Sequence, residues 1–363
     1  MPRTNTIYTA PDFGAPPLVD MPLATFMPLT KDGVLPEGFF STSNLPTFVH
    51  LESGWVMPSR PRMDCAILRR GDALETIEPR KLRVGDLVAV GLEEDGTEGI
   101  LVHSEGFLAP HSPNEFRFMS TPVSRERPVN YELLASRLVE ERDRGGYMLW
   151  VTGPALVHSR ARTDFEWFIR NGFVQAVLAG NALAVHDLES AMFGTALGMK
   201  DTGDHEDGGH GLHMRAINAI RDAGSIEAAV ESGLVSSGIM HTLVTNQVPY
   251  VLAGSIRDDG PLPGVLTDAL DAQDSMREHT VKATGAIFVA TALHAIAVGN
   301  MLPAFHTCYD GVPASLMTIC VDQTEFVVSK LKDRGTHQAY GVVTNAQDFM
   351  HVLRRFTESC IQS

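Results

Sequence analysis

Residues 147–153 read YMLWVTG, a continuous apolar run that ends in glycine, and residues 174–180 repeat this design as VQAVLAG. Four more runs of this kind follow along the chain: VPYVLAG (248–254), GAIFVATA (285–292), SLMTICVD (315–322) and YGVVT (340–344). Short apolar runs without alternation are typical of strands that are covered on both faces. Segments with helical patterns lie between them, so the sequence predicts an α/β fold with an open, mostly parallel sheet.

The remainder of the chain has a different pattern. Residues 1–47 are rich in proline and predict an extended arm. Residues 48–130 contain short apolar runs separated by Gly, Asp and Glu, as in KLRVGDLVAVG (81–91), and predict a small, mainly β domain with a linker. The α/β domain then covers residues 131–363 and begins with a predicted helix over 131–144.

Composition excludes several classes of protein. The formal net charge of −15 repels phosphate backbones, so no nucleic-acid partner is expected. The four cysteines form no C-x-x-C pair, which fits a reducing cytoplasm and a cytoplasmic location. Residues 286–303 are apolar enough to suggest a membrane span, but a buried strand followed by a buried helix explains them better, and no membrane partner is expected.

The candidate site follows from the predicted sheet, because ligands of open parallel sheets bind beyond the carboxyl ends of the strands. Small or polar residues follow five of the strands there. No G-x-G-x-x-G, Walker A, G-x-S-x-G or H-E-x-x-H motif is present. The glycines that end three strands (Gly153, Gly180 and Gly254) still allow backbone N–H groups to approach a pyrophosphate at a helix N-terminus.

Several side chains near these strand ends have two open interpretations. His186-Asp187 and His294 are candidate acid/base groups, although a histidine in an apolar helix is equally consistent with a core position. Arg257-Asp258-Asp259 is either a solvated turn or the rim of a site. Cys320 lies in a predicted buried strand and is a weak candidate nucleophile. The His-rich loop 201–215 suggests a lid or oligomer contact more than a metal site.

Long blocks of the sequence resemble a known family. They are LAGNALAVHDLE (178–189), MRAINAI (214–220), GIMHTLV (238–244), VLAGSIRDDGPLP (251–263), LHAIAVGNMLP (293–303) and KLKDRGTHQAYGVVT (330–344). On these residues the chain is similar to the LOR/SDH-related family, which includes archaeal-type ornithine cyclodeaminases and the C-terminal part of the cyanobacterial arginine dihydrolase/ornithine cyclodeaminase. The match runs from about FFSTSN (39–44) to the end.

The resemblance implies an NAD-binding domain of the deoxyhypusine-synthase type, tightly bound NAD, and conversion of L-ornithine to L-proline and ammonia. It also implies an amino-acid substrate and a homodimer or homotetramer. The catalytic candidates are then Asp258, Asp259, Asp187 and His294. The substrate-binding candidates are Arg257, Asn44, Lys330 and Arg334. The cofactor candidates are Gly153, Pro154, Gly180, Asn181, Ala182, Gly254, Ser255, Thr291, Asn300 and Asp322, and none is assigned to a metal.

The chain departs from the family pattern at three places. Residues 321–325 read VDQTE where the family has approximately Val-Asp-Ile-Asn-Pro, His337 replaces a smaller or polar residue, and the family's additional N-terminal domain is expected to be missing. These departures lie near the expected cofactor or substrate rim. Two alternatives therefore stay open: an NAD-dependent enzyme acting on another amino acid or imine, and a non-catalytic nucleotide-binding subunit.

Overall fold

The computed structural model describes residues 8–107, 129–196, 198–200, 209–258, 260–307, 313–324 and 339–362. They divide into two compact units. One unit contains residues 8–107 with 300–307 and 313–316, and the other contains the rest of the described chain. Among these residues no helix is long and apolar enough to cross a membrane.

The strands of both units are, in chain order, β1 Thr25–Pro28, β2 Thr47–Leu51, β3 Gly54–Val56, β4 Ala66–Arg70, β5 Ala73–Ile77, β6 Leu87–Val90, β7 Ile100–Val102, β8 Met148–Thr152, β9 Ala176–Gly180, β10 Thr195–Ala196, β11 Met199–Lys200, β12 Tyr250–Ala253, β13 Gly285–Val289, β14 Phe305–Thr307, β15 Pro313–Ser315, β16 Met317–Asp322 and β17 Ala339–Val343. The helices are α1 Tyr131–Asp143, α2 Ala155–His158, α3 Arg162–Arg170, α4 Asn181–Phe193, α5 Leu212–Ala223, α6 Ile226–Glu231, α7 Ile239–Thr245, α8 Ala269–Thr280, α9 Leu293–Met301 and α10 Ala346–Gln362.

The first unit is built from antiparallel strands. One sheet has the order β1-β6-β4-β5, a second has the order β3-β2-β7, and β14 pairs with β15. Apolar side chains of both larger sheets are buried, for example Val49 and Ile67 in one cluster. Alternation of apolar and polar residues, as in β5, is what half-buried antiparallel strands require.

Part of the expected extended arm is integral to this unit. Thr25–Pro28 form strand β1, which pairs with β6 from Thr25↔Val90 to Pro28↔Leu87. Leu29 and Phe40 are buried in the same unit. Prolines interrupt the apolar spacing in this segment, so its sequence lacks a periodic signal although its isolated apolar residues pack into the core.

The second unit confirms the predicted α/β fold. Its sheet has six parallel strands in the order β12-β9-β8-β13-β16-β17. When only the six strands of this sheet are numbered along the chain, the order is 3-2-1-4-5-6, which is typical of doubly wound α/β sheets. All residues of β8 and of β13 are buried, as expected for strands covered by helices on both faces.

Helix α3 shows how the sequence attaches these layers. Phe165 and Phe168 lie on one face of α3 and pack on the Trp150 ring of β8, with ring centroids 5.1 and 5.4 Å apart. The buried Trp150 indole N–H donates to the Phe173 carbonyl oxygen at 2.9 Å. The apolar stretch 286–303 contains most of β13 and all of α9. This confirms the prediction of a buried strand followed by a helix in place of a membrane span.

Candidate active site

The strand order reverses between β8 and β13, and the loops after these two strands touch at their carboxyl ends. A Cβ on Gly153 would overlap the Ala290 carbonyl oxygen and would lie 2.9 Å from Thr291 Cβ. The Gly153 N–H donates to the Val289 oxygen at 3.0 Å. Only glycine fits such an approach. The crevice at a reversal of strand order is where open α/β sheets bind ligands.

His294 crosses this edge of the sheet. It belongs to α9, which follows β13, yet a Cβ on Gly180 at the end of β9 would lie 2.7 Å from His294 Cε1. Thr291 Oγ1 lies 3.5 Å from His294 Nδ1. Because β8 lies between β13 and β9, His294 reaches past the end of one intervening strand.

The charge state of His294 depends on its surroundings. Burial lowers the pKa of the imidazole below its usual value, and the negative charge of Asp258 partly offsets this shift. The ring is therefore neutral at pH 7 and can accept a proton. Asp258, whose charge acts on this imidazole, follows β12 in the chain.

The loop that carries Asp258 is closed at its base. The Gly254 N–H donates to the Leu266 oxygen at 2.8 Å, so the loop leaves and rejoins the chain beside β12. Asp258 Oδ2 accepts the Ser255 N–H at 2.7 Å and the carboxylate is half-buried. Ser255 and Arg257 are exposed. Asp259 lies outside the described residues, and so do the predicted substrate ligands Lys330 and Arg334.

Helix α4 begins at this edge of the sheet. Its N-cap residue is Gly180, which makes no side-chain capping hydrogen bond, and the first turn of this helix holds no acidic residue. Asn181 and Ala182 form the start of the helix. The Asn181 side chain is buried and its Oδ1 accepts the Leu262 N–H at 3.0 Å. An uncapped helix N-terminus is a favourable position for an anion.

Asp187, predicted as a catalytic group, lies in the interior of the second unit. Its carboxylate is fully buried, accepts Arg162 Nε at 2.7 Å, and accepts the Ile239 and Met240 N–H groups at 2.9 and 2.8 Å. These donors occupy both oxygens and cap the start of α7. Asp187 therefore joins helices α3, α4 and α7 and is closed to a substrate.

Other predicted residues lie in distinct places. His186 is directed to a buried acid, with Nδ1 3.8 Å from Glu189 Oε2. Asp322 ends β16 and accepts the Thr324 N–H and hydroxyl at 2.8 Å each. Burial raises the pKa of the Cys320 thiol to about 12, so it is no nucleophile at neutral pH.

Two further predicted residues belong to the first unit. The Asn44 carbonyl oxygen accepts the Ala304 N–H at 2.9 Å, and Asn300 lies on α9. Pro154 is the N-cap of α2, directly after the crevice. No group of three or more His, Cys, Asp or Glu able to hold a metal is found among the described residues, and most of the loop 201–215 that suggested one, residues 201–208, lies outside them.

Sequence reasoning missed two residues at this edge. Ala290 has a φ of 57°, a conformation that non-glycine residues rarely adopt, and it contacts Gly153. Arg221 of α5 donates from Nη2 to the Pro261 oxygen at 3.0 Å. Neither carries a sequence signal, because a backbone angle and a contact 40 residues away leave no local pattern.

Comparison with protein families matches this architecture. The model for the C-terminal, Rossmann-fold region of arginine dihydrolase ArgZ-like proteins matches residues 132–353, and the model for the first C-terminal region matches residues 46–133. The chain belongs to the ArgZ-like C-terminal family. The resemblance identified from the sequence is thereby confirmed.

Members of the ArgZ-like family with similar sequences come from archaea and cyanobacteria. Ornithine cyclodeaminase of Methanopyrus kandleri is 42% identical over 336 residues, which is 90% of this chain and 76% of that protein. The bifunctional arginine dihydrolase/ornithine cyclodeaminase AgrE of Nostoc is 38% identical over 353 residues, which is 94% of this chain and 48% of AgrE.

Two solved structures are similar to this chain in both fold and sequence. The LOR/SDH protein of Methanococcus maripaludis has a TM-score of 0.83 and 40% identity, covering 93% of this chain and 99% of that one. The ternary complex of AgrE with ornithine and NAD⁺ has a TM-score of 0.59 and 35% identity, covering 95% of this chain and 47% of AgrE.

Proposed function

We propose that this chain is an NAD-dependent ornithine cyclodeaminase that converts L-ornithine to L-proline and ammonia. The observation that carries the proposal is His294, a neutral imidazole that contacts Gly180 and is electrostatically coupled to Asp258 at the carboxyl edge. The similarity to archaeal ornithine cyclodeaminases over 90% of the chain supports the substrate, and the AgrE complex with ornithine and NAD⁺ supports the cofactor.

The carboxyl edge fits a dinucleotide. The uncapped N–H groups of Asn181 and Ala182 start α4 and suit the negative charge of a pyrophosphate. The glycines at positions 153, 180 and 254 keep the strand ends free of side chains, and Thr291 and Asp322 offer oxygen atoms at neighbouring strand ends. These residues would hold NAD, which would supply a reversible hydride acceptor for Cα of ornithine, so that the reaction has no net redox change.

His294 and Asp258 can manage the protons of the cyclisation. We assign the Asp258 carboxylate to the δ-ammonium of ornithine, and neutral His294 to accepting one of its protons. The freed δ-nitrogen bonds to Cα, the bond between Cα and the α-nitrogen breaks, and the imidazolium returns the proton to the departing ammonia. The exposed Arg257 guanidinium is the cation proposed for the α-carboxylate.

The test is incubation of the purified protein with NAD⁺ and L-ornithine labelled with ¹⁵N at the δ-position. The proposal expects unlabelled ammonia and proline that retains the label, because the α-nitrogen leaves. L-Lysine, which is one methylene longer, serves as the matched substrate control. Labelled ammonia, or no proline from ornithine, contradicts the proposal.

Two outcomes lead to the alternatives. Turnover of another amino acid or imine with bound NAD assigns the same edge to a different substrate. A protein that neither carries nor binds a nicotinamide nucleotide, checked by mass spectrometry of the denatured supernatant, excludes both NAD-dependent enzyme functions. A protein that binds the nucleotide but turns over no amino acid or imine is the non-catalytic nucleotide-binding subunit. Size-exclusion chromatography with light scattering tests the further proposal of a homodimer or homotetramer, and the location of a tagged chain tests the cytoplasm.

A further inference from the structure

The dipeptide Gly180-Asn181 holds both partners of the proposed acid/base pair. Gly180 provides the surface on which the His294 ring lies, since a Cβ added to Gly180 would come within 2.7 Å of His294 Cε1. The next residue, Asn181, accepts a hydrogen bond from Leu262, 81 residues further along the chain. Leu262 lies in the same loop as Asp258, so one short stretch of β9 and α4 contacts both His294 and the loop that carries Asp258.

The Asn181 bond is the interior anchor of that loop. Within the described residues 255–258 and 260–265, Leu262 is the one buried side chain, at 2% exposure, and Asn181 is 5% exposed. The first half of the loop has no comparable support, since Ser255, Ile256 and Arg257 are all exposed. A buried N–H that lost its acceptor would have to find water, which would open the loop.

A second anchor acts on the outer side. Arg221 Nη2 donates to the Pro261 oxygen at 3.0 Å, and the same atom lies 3.1 Å from where a Cβ on Gly260 would be. Gly260 has a φ of +155° and therefore needs glycine. This contact is solvent-exposed and can rearrange, whereas the Asn181 bond is buried and sets the position of the chain.

We propose that Asn181 is a positioning residue whose side chain, through the Leu262 N–H, sets Asp258 against His294, and that the side chain is not a cofactor ligand. The inference rests on the proposed function for its catalytic meaning. The position of Asp258 relative to His294 is a property of the free protein and can be measured without turnover.

The titration of His294 reports the position of Asp258. The Asp258 charge acts on this imidazole, while Thr291 offers only a hydroxyl and Gly180 offers only backbone. If Asn181 holds the loop, its removal must weaken the Asp258 charge at His294. The His294 pKa must then fall, in the same direction as in Asp258→Asn.

The experiment follows the His294 imidazole by NMR titration of the full chain, with the signal assigned from a His294→Gln variant. Asn181→Ala and Asp258→Asn should each lower the His294 pKa, and the double variant should shift it no further than Asp258→Asn alone. The Leu262 amide should exchange with solvent at least 10-fold faster in Asn181→Ala. An unchanged His294 titration in Asn181→Ala overturns the proposal.

Two further variants separate positioning from other roles. Asn181→Asp keeps an acceptor oxygen for Leu262 and should preserve slow exchange of its amide. Asn246→Ala removes an asparagine hydrogen bond to the Thr242 oxygen at the end of α7, and should leave the His294 titration unchanged even if the melting temperature falls. A shift equal to that of Asn181→Ala in this control overturns the proposal.

Cofactor binding and turnover complete the test. Asn181→Ala should bind NAD within about 3-fold of the wild-type Kd and lower kcat more than it raises KM for ornithine. Loss of NAD binding with an unchanged His294 titration assigns the side chain to the cofactor and overturns the proposal. A wild-type protein that forms no proline but shows the titration shifts refutes the proposed function and leaves the anchor standing.

Discussion

Replacing Gly180 by alanine tests the contact on which the site depends. The new Cβ would lie 2.7 Å from His294 Cε1 and 3.3 Å from Nε2. Carbon atoms in contact are normally about 3.5–4.0 Å apart, so the imidazole must move by about 1 Å. A misplacement of about 1 Å can cost about 100-fold in rate, and we expect kcat of Gly180→Ala to fall by about that factor.

The backbone at Gly180 accepts alanine. Its φ of −94° and ψ of 163° are extended angles that any residue adopts, so the variant carries no backbone strain. Alanine is a poorer N-cap residue than glycine, which is expected to cost up to about 1 kcal/mol of unfolding free energy. The rate effect should therefore appear in a protein that stays folded.

Gly211→Ala is the matched control. Gly211 is also the N-cap of a helix, α5, with a φ of −95°, but apart from its chain neighbours no atom of the described residues lies within 4 Å of its added Cβ. The assay is the initial rate of proline formation from L-ornithine at saturating NAD⁺, with the melting temperature of each variant measured in parallel. Equal kcat values for Gly180→Ala and Gly211→Ala would refute the placement of His294 in the catalytic centre.

Three further expectations follow from the same geometry. Asp258→Asn should lower kcat by about 10²–10⁴-fold, because it removes the proposed partner of the δ-ammonium. The melting temperature should change little, because the loop is only half-buried. Near-normal turnover would contradict the role of Asp258. The acid limb of kcat/KM should have its midpoint below about 6.5, since a lowered His294 pKa keeps the imidazole neutral until the pH falls further, and Asp258→Asn should move the midpoint lower still. Asp187→Asn should lose about 3–5 kcal/mol of unfolding free energy in urea titrations, because Arg162 would lose its buried counter-charge, and a normal stability would contradict the structural role.

The sequence by itself determined the parallel sheet and the edge at which we propose the site. Unbroken apolar runs are possible only where both faces of a strand are covered, and the glycines at 153, 180 and 254 mark strand ends that must stay free of side chains. These are local properties of single segments. They predicted Gly153 and Gly180 at the crevice before any strand order was known.

The histidine and acid candidates differ in their burial and in their distance from the carboxyl edge. The sequence does not show this difference. Helix α4 has buried residues around most of its circumference, so its apolar pattern does not indicate which face carries His186 or Asp187. Asp187 lies in the second turn, away from the strand end, where Arg162 and the start of α7 enclose it. His294 is also in an apolar helix, yet it meets the carboxyl edge.

Only the tertiary structure decided the partners of Asn181 and His294. The bond from Leu262 to Asn181 joins residues 81 positions apart, and the contact of His294 with Gly180 requires that β13 lie two strands from β9. Strand order is set by how helices pack on the two faces of the sheet, which is a property of the whole core. A local pattern can therefore place a residue at the edge, but the packing of distant segments decides which groups it meets there.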